Sequence, residues 1–329
     1  MGYGELAGLG SAAIWAASSL LYSYARMTAW ELNLWKNVFT SFIFLIHLWV
    51  VRYLVDQNVL FEAPLESWCW LGLSSVVGIV IGDTLYLRSL QILGARRALV
   101  VATASPIFGV IIGFFFMNDV ITMLLVGGIG LTVFGVGIVV SDKKAQVENP
   151  NVIPGKFPIG VMLGVGAAFC QASGVAFAKL GMDHGCEALE ASFIRIFTAS
   201  LTMVLMVFLY PEKYAVSRQT YSLSSEEKKD DSDAKPAPKE NSIVKPLTDW
   251  YSMKFFIPGM LMGTWIGIWF FQMAQQYADT AVVTTLVSTC PIFAIPLVWL
   301  FQGHKVSPKG LIGTLIAVVG IYMVVTFSG

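Results

Sequence analysis

Residues 105–110 read SPIFGV and residues 290–295 read CPIFAI, so a proline-centred hexapeptide recurs at an offset of 185. The same offset pairs Gly82 with Gly267, Gln91 with Gln276, Gly128 with Gly313 and Gly135 with Gly320. Residues 82–140 give 11 identities in 59 positions without a gap. Nearer the N-terminus, GLGSAAIWAAS at 8–18 aligns with GVGAAFCQASG at 164–174, and Glu31 and Lys36 align with Glu190 and Arg195. A repeat on this scale is read before any local motif, because it fixes how many copies of one unit the fold must hold.

Composition says what kind of unit it is. The chain has 329 residues, zero formal net charge, 56% apolar residues and 13% charged ones, against roughly 25% charged in ordinary soluble domains. Its mean hydropathy is +0.69. Fifteen of its 42 charges fall within residues 211–251. The remainder could not cover a soluble surface, which excludes a soluble enzyme, a nucleic-acid binder and a disordered chain. The class left is a polytopic membrane protein.

Ten apolar stretches predict membrane helices, near 5–25, 29–51, 68–92, 96–117, 121–141, 157–180, 187–210, 255–277, 280–302 and 308–327. Stretches of this length must be helical, since lipid offers the backbone no hydrogen-bond partners. The first is too long, and too poor in preceding basic residues, for a cleavable signal. Spans one to five then correspond to six to ten. Five is odd, so the second copy lies upside down relative to the first, the arrangement of many secondary transporters, whose substrate sites lie between the repeats. The expected organisation is a first repeat at 1–142, a polar linker at 143–156 and a second repeat at 157–329. Within the second, residues 211–251 form a charged loop whose centre, SSEEKKDDSDAKPAPKENS, has the composition of a disordered tether.

These residues resemble the drug/metabolite transporter superfamily, in particular its ten-helix EamA-like branch. The resemblance rests on the two five-helix halves, the basic residue in the second span of each (Lys36, Arg195), the proline in the fourth (Pro106, Pro291) and the glycine-punctuated fifth spans (Gly128 and Gly135; Gly313 and Gly320). It covers nearly the whole chain outside 211–251. It implies export or exchange of small metabolites without ATP, by a multi-pass protein of the plasma (inner) membrane if the source is bacterial.

The residues themselves nominate a site. Pro106 and Pro291 each free the carbonyl four residues earlier, so both mark a hinge or cavity wall. Ser11, Trp15, Ser18 and Tyr22 share one face of span one. Thr84, Arg88 and Gln91 form a stripe on span three, and Trp265, Trp269, Gln272 and Gln276 form one on its repeat mate, span eight. Gln171 on span six is the mate of Trp15. Trp15, Gln171, Trp269 and Gln272 are expected to face a cavity lined by spans one, three, four, six, eight and nine.

Charges inside spans are functional candidates. Arg88 is a candidate partner for a substrate carboxylate, Asp83 for coupling to a proton, and an Asp83–Arg88 ion pair is the structural alternative. Lys36 and Arg195 are expected to pair with neighbouring helices, whereas Glu31 and Glu190, near helix ends, are expected to be solvated. The four cysteines form no metal or disulfide pattern, and no cofactor is called for. There is no phosphate loop for ATP, no HExxH, and GIVIGD at 78–83 lacks the first glycine of an intramembrane aspartyl protease motif.

The expected function is a secondary transporter of small amphipathic or zwitterionic metabolites, amino acids foremost, working by alternating access as a monomer or homodimer, with a proton or counter-substrate as coupling partner. A passive facilitator and a membrane-embedded enzyme are the alternatives. Counting Lys and Arg in short loops gives eight on the side away from the termini (Arg26, Arg96, Arg97, Lys143, Lys144, Lys156, Lys305, Lys309) against two. That count places the termini outside and the 211–251 loop in the cytoplasm.

Overall fold

The computed structural model describes residues 2–55, 60–117, 123–140, 156–209, 245–277, 283, 286–302 and 307–326. They fold into helices joined by short turns, with no strand among them. The helices are α1 (Tyr3–Tyr24), α2 (Ala29–Leu54), α3 (Leu65–Leu93), α4 (Ala95–Ala102), α5 (Ser105–Met117), α6 (Met123–Val140), α7 (Phe157–Asp183), α8 (Ala188–Leu209), α9 (Lys245–Thr248), α10 (Trp250–Tyr277), α11 (Cys290–Gln302) and α12 (Pro308–Thr326). Six of them (α1, α2, α3, α7, α8 and α10) are long and apolar enough to cross a membrane. Shorter apolar stretches lie in α6, α11 and α12.

The helices are amphipathic in the sense a membrane requires, polar inside and apolar outside. On α2, Asn33, Lys36, Asn37 and Thr40 are buried, whereas Phe42, Ile46, Trp49 and Tyr53, spaced by four, three and four, form an exposed apolar stripe. The N-terminus of α2 is fixed by a reciprocal cap: the Thr28 hydroxyl accepts the Glu31 N–H and the Glu31 carboxylate accepts the Thr28 N–H at 2.9 Å. Gly94, at φ 81°, turns the chain from α3 into α4, a backbone conformation an L side chain would resist.

Several expectations change. Glu31 and Glu190 are not solvated but buried, at 6% and 1% exposure. Glu31 caps its own helix. Glu190, in the first turn of α8, accepts the backbone N–H groups of Glu62 and Ala63 at 2.9 Å each and lies 3.4 Å from Arg52, which Glu187 and Glu62 also approach. The segment between α2 and α3 is thereby tied to α8. Glu190→Ala removes the shared acceptor of two part-buried N–H groups and one of the three carboxylates around Arg52, and should cost about 2 kcal/mol. Glu190→Gln, which still accepts both N–H groups, should cost less than half of that. Thermal unfolding of the purified variants in detergent measures both.

Beside this cluster, burial, followed by Glu190 and Glu187, pushes the Cys186 thiol up to about 12. Cys186 should therefore resist maleimide at pH 8, where a free thiol with a pKa of about 8.5 reacts readily. Arg96 and Arg97, counted above as loop charges, are buried in α4, which removes two from the larger tally. Residues 245–251 of the expected charged loop are helical: Lys245–Thr248 forms α9, and Asp249 caps α10 through the Tyr251 N–H. The rest of that loop lies outside the described residues.

The long helices are not uniform. α3 carries a wide π-type turn at Ser75–Asp83 and α10 one at Met260–Ile266, starting 185 residues apart. Such turns leave carbonyls without regular partners and recur at functional sites. Asn33 Nδ2 donates to the Ile79 carbonyl at 2.8 Å, and the Trp15 indole N–H donates to the Gly263 carbonyl at 2.9 Å. The expected fourth span is broken at Thr103–Ala104, just before Pro106, with N–H groups of Ala104 and Ile107 turning onto the carbonyls of Val101 and Ala104. Before Pro291 the pattern recurs, with Thr289 and Ile292 bonded to Leu286 and Thr289.

Small residues set the close crossings. A methyl group on Gly174 would sit 2.9 Å from the Cα of Gly78, and one on Gly263 would strike Ser18. One on Gly8 would meet Leu286 and Ala274, and one on Gly164 would meet Val101 and Ser89. In α6 and α12, Gly135 packs on the backbone of Gly313 and Ala317, and Gly320 on that of Gly128 and Thr132.

Candidate functional site

A cavity of about 180 Å³ opens at the centre of the bundle. Its walls come from α1, α2, the π turn of α3, the α4–α5 break, α7, α8, α10 and the turn before α11. Both irregular segments of the first half of the chain therefore face the cavity, as do the π turn of α10 and the turn before Pro291.

Of the residues nominated from sequence, Trp15, Ser18, Tyr22 and Gln171 line this space, together with Asp83 and Pro106. The Tyr22 hydroxyl is 3.0 Å from the Thr264 hydroxyl, and Trp15 packs on Phe271 with ring centroids 5.1 Å apart. Trp15→Phe keeps one six-membered ring but loses the five-membered ring that packs on Gly267 and, with it, the bond to the Gly263 carbonyl. It should destabilise the protein by about 1 kcal/mol, read as a lowered midpoint of thermal unfolding.

Thr84, Arg88, Trp265, Trp269, Gln272, Gln276 and Pro291 are not among the lining residues. The stripe on α10 instead faces its neighbours in the protein. Trp265 donates its N–H to His47 Nδ1 at 3.3 Å, Trp269 meets the same imidazole edge to face at 4.7 Å, and Gln276 accepts the Ala188 N–H. Gln272, fully buried, accepts from Arg195 Nη1 at 3.0 Å. Thr84 accepts from Asn33 and donates to the Val80 carbonyl, and Arg88 donates to Gln91.

Asp83 pairs with Lys36 rather than with Arg88. The pair joins α2 to the π turn of α3 and lies in the cavity wall. Arg195, the counterpart of Lys36, lines the cavity from α8. The charged set of the site is thus Lys36, Asp83 and Arg195, two cations and one carboxylate. Ser19, bonded to the Tyr86 hydroxyl at 2.7 Å, and Thr264, Ser105 and Ser288 add hydroxyls. Sequence reading missed these four; it expected Lys36 and Arg195 to pair with neighbouring helices, and Lys36 bonds to Asp83 on α3 and Arg195 to Gln272 on α10 while both also line the cavity. The available signal for Ser19 was its position one turn beyond Trp15.

Chemically this is a binding site. Among the described residues no cluster of His, Cys, Asp or Glu could hold a metal. Charges of both signs, hydroxyls and four aromatic side chains (Trp15, Tyr22, Tyr86 and Phe271) surround a space suited to a small solute.

Fold and cavity define a multi-pass membrane protein that encloses, within its helices, a largely apolar cavity bearing a few charged and hydroxyl groups. The profile of the EamA-like transporter family matches residues 2–141 and 236–326. The chain belongs to this family, part of the drug/metabolite transporter superfamily, and is a membrane transporter of that type; the family is one of transporters rather than enzymes. No curated protein matches it in sequence. A solved structure described as "Crystal structure of protein" superposes with a TM-score of 0.61 at 12% identity, covering 99% of this chain and 97% of the other. That likeness is one of fold alone.

Proposed function

We propose that the protein is a secondary transporter that exports small organic metabolites, amino acids and related amphipathic compounds foremost, across the plasma membrane by alternating access. Its framework is ten spans in two inverted five-helix repeats, 1–142 and 157–329, and it works as a monomer or homodimer coupled to a proton or a counter-substrate.

The observation that carries this reading is the cavity, a largely apolar space with a charge-bearing patch, walled by helices of both halves and by broken segments from each. The contacts support the repeat. Under the offsets found in the sequence, the Gly8 contacts with Leu286 and Ala274 map onto the Gly164 contacts with Val101 and Ser89, and Ser18–Gly263 maps onto Gly174–Gly78. A two-fold relation exchanges contacts in this pairwise way. Discontinuous helices around a central site are how secondary transporters build and rock their binding cavities.

The test is flux through purified protein in proteoliposomes loaded with amino acids. Saturable uptake accelerated by substrate on the far side is the expected result. Non-saturating flux would replace the carrier with a passive facilitator, and chemical turnover without flux would replace it with an enzyme. For orientation, Arg26, Lys156 and Lys309, which a ten-span topology would put on the side away from the termini, are exposed, which supports a cytoplasmic 211–251 loop. A Ser224→Cys variant should stay unlabelled by an impermeant thiol reagent in intact cells, and ready labelling would reverse the orientation.

A further inference from the structure

We infer that Arg195 is the seat for a carboxylate group of the transported solute, and that this carboxylate, rather than an amine, is the feature the cavity requires. The inference rests on the cavity being the transport site, and it specifies what that site selects.

Charge is the first consideration. Lys36 and Asp83 neutralise each other. Among the described residues, the guanidinium of Arg195 has only the neutral amide of Gln272 as a hydrogen-bond partner. A guanidinium does not shed its proton in a protein, so the cavity wall keeps one uncompensated positive charge among the described residues. In a membrane interior such a charge calls for an anion.

Geometry is the second. Arg195 is 7% exposed, and its Nε has no hydrogen-bond partner. Nη1 is engaged by Gln272, and the other edge, Nε and Nη2, is unengaged but its Nε is shielded from the cavity, so a carboxylate reaches both nitrogens only once the guanidinium turns toward it. That edge is a planar fork matching the two oxygens of a carboxylate. On α3 the facing residue is Gly78, where an added methyl group would already be in van der Waals contact with Nη2 at 3.6 Å, so the absence of a side chain there spares the guanidinium a closer cover.

The seat is held in place. The Arg195 carbonyl accepts the Ser75 hydroxyl at 2.5 Å, and Gln272 donates to Met182 Sδ at 3.3 Å. An ammonium group has the weaker claim on the wall, since Asp83 already gives Oδ2 to Lys36 and only its other oxygen could accept from an amine.

Titration calorimetry on the full chain in lipid nanodiscs tests this with matched probes: L-phenylalanine, its amide and hydrocinnamate; L-leucine, its amide and isocaproate; L-alanine, its amide and propionate. In at least one set the acid should bind as tightly as the amino acid or tighter, and the amide about 30-fold more weakly, the size of a charge-assisted bidentate contact. Arg195→Gln should bring the acid down to the level of the amide. Arg195→Lys, which keeps the charge but loses the fork, should fall between them and guards against a folding defect in the glutamine variant.

An amide that binds as well as its acid, discrimination that survives in Arg195→Gln, or no binding by any acid at about 10 mM would overturn the seat. The transport reading fails separately. If the acids bind in the expected order but no labelled probe crosses the proteoliposome membrane, the seat stands and the carrier does not. If amines or alcohols are carried equally well by Arg195→Gln, the carrier stands and the seat does not.

Discussion

Asp83→Leu will destabilise the protein more than Lys36→Met, and the double variant will be more stable than Asp83→Leu alone. Removing one member of a buried ion pair leaves the other uncompensated, at a cost of about 3–5 kcal/mol, whereas replacing both by apolar groups of similar volume is often neutral or better. The two members are not equally exposed: the Lys36 side chain is 5% accessible and that of Asp83 34%. A lone Asp83 can draw on water in the cavity, while a lone Lys36 cannot and also faces the charge of Arg195. Asp83→Leu should therefore cost about 4 kcal/mol and Lys36→Met about half as much, with the double variant within about 1 kcal/mol of the parent. Chemical unfolding in mixed micelles gives the three values. Proteoliposome flux should be lost in all three, because the pair also forms part of the cavity wall. A double variant as unstable as Asp83→Leu would mean that the pair is not the determinant. Full flux in the double variant would mean that the pair serves folding only.

The periodicity of the sequence located the helices because lipid leaves the backbone no other option, and the prolines at 106 and 291 marked where two of them are interrupted. Neither signal revealed the π turns, which depend on side chains such as Asn33 and Trp15 reaching from other helices to the displaced carbonyls. Spacing also shows which residues share a face but not which neighbour that face meets. On α1 the face bearing Trp15, Ser18 and Tyr22 turns to the cavity. On α10 the face bearing Trp265, Trp269, Gln272 and Gln276 turns to α2 and α8 instead. The position of Arg195 was visible, but its functional edge was not, since that depends on which of its nitrogens Gln272 occupies. Glu31 shows the opposite case: a threonine three residues before a glutamate is a capping signature, and it outweighs the general expectation that a carboxylate at a membrane helix end is solvated.

Valine at Gly135 and valine at Gly320 should be equally destructive, each costing about 3 kcal/mol, because both force a β-branched side chain into a backbone with no room to yield. At Gly135 the first added carbon already falls on the backbone of Gly313 and Ala317, and at Gly320 on that of Gly128 and Thr132. The offset of 185 turns Gly135 into Gly320, Gly128 into Gly313 and Thr132 into Ala317. One contact is therefore the image of the other, and a pseudo-two-fold axis would run between α6 and α12. Gly130→Ala, on an open face of α6 with nothing within 4 Å, is the control. It should be neutral or stabilise by up to about 1 kcal/mol through helix propensity alone. Thermal unfolding of the three variants separates two readings of the glycine pattern. Equal losses at the paired sites follow if the crossing is a symmetric element of an inverted repeat. A loss at one site and tolerance at the other would mean that the glycines recur without an equivalent contact, and the axis would have to be placed elsewhere.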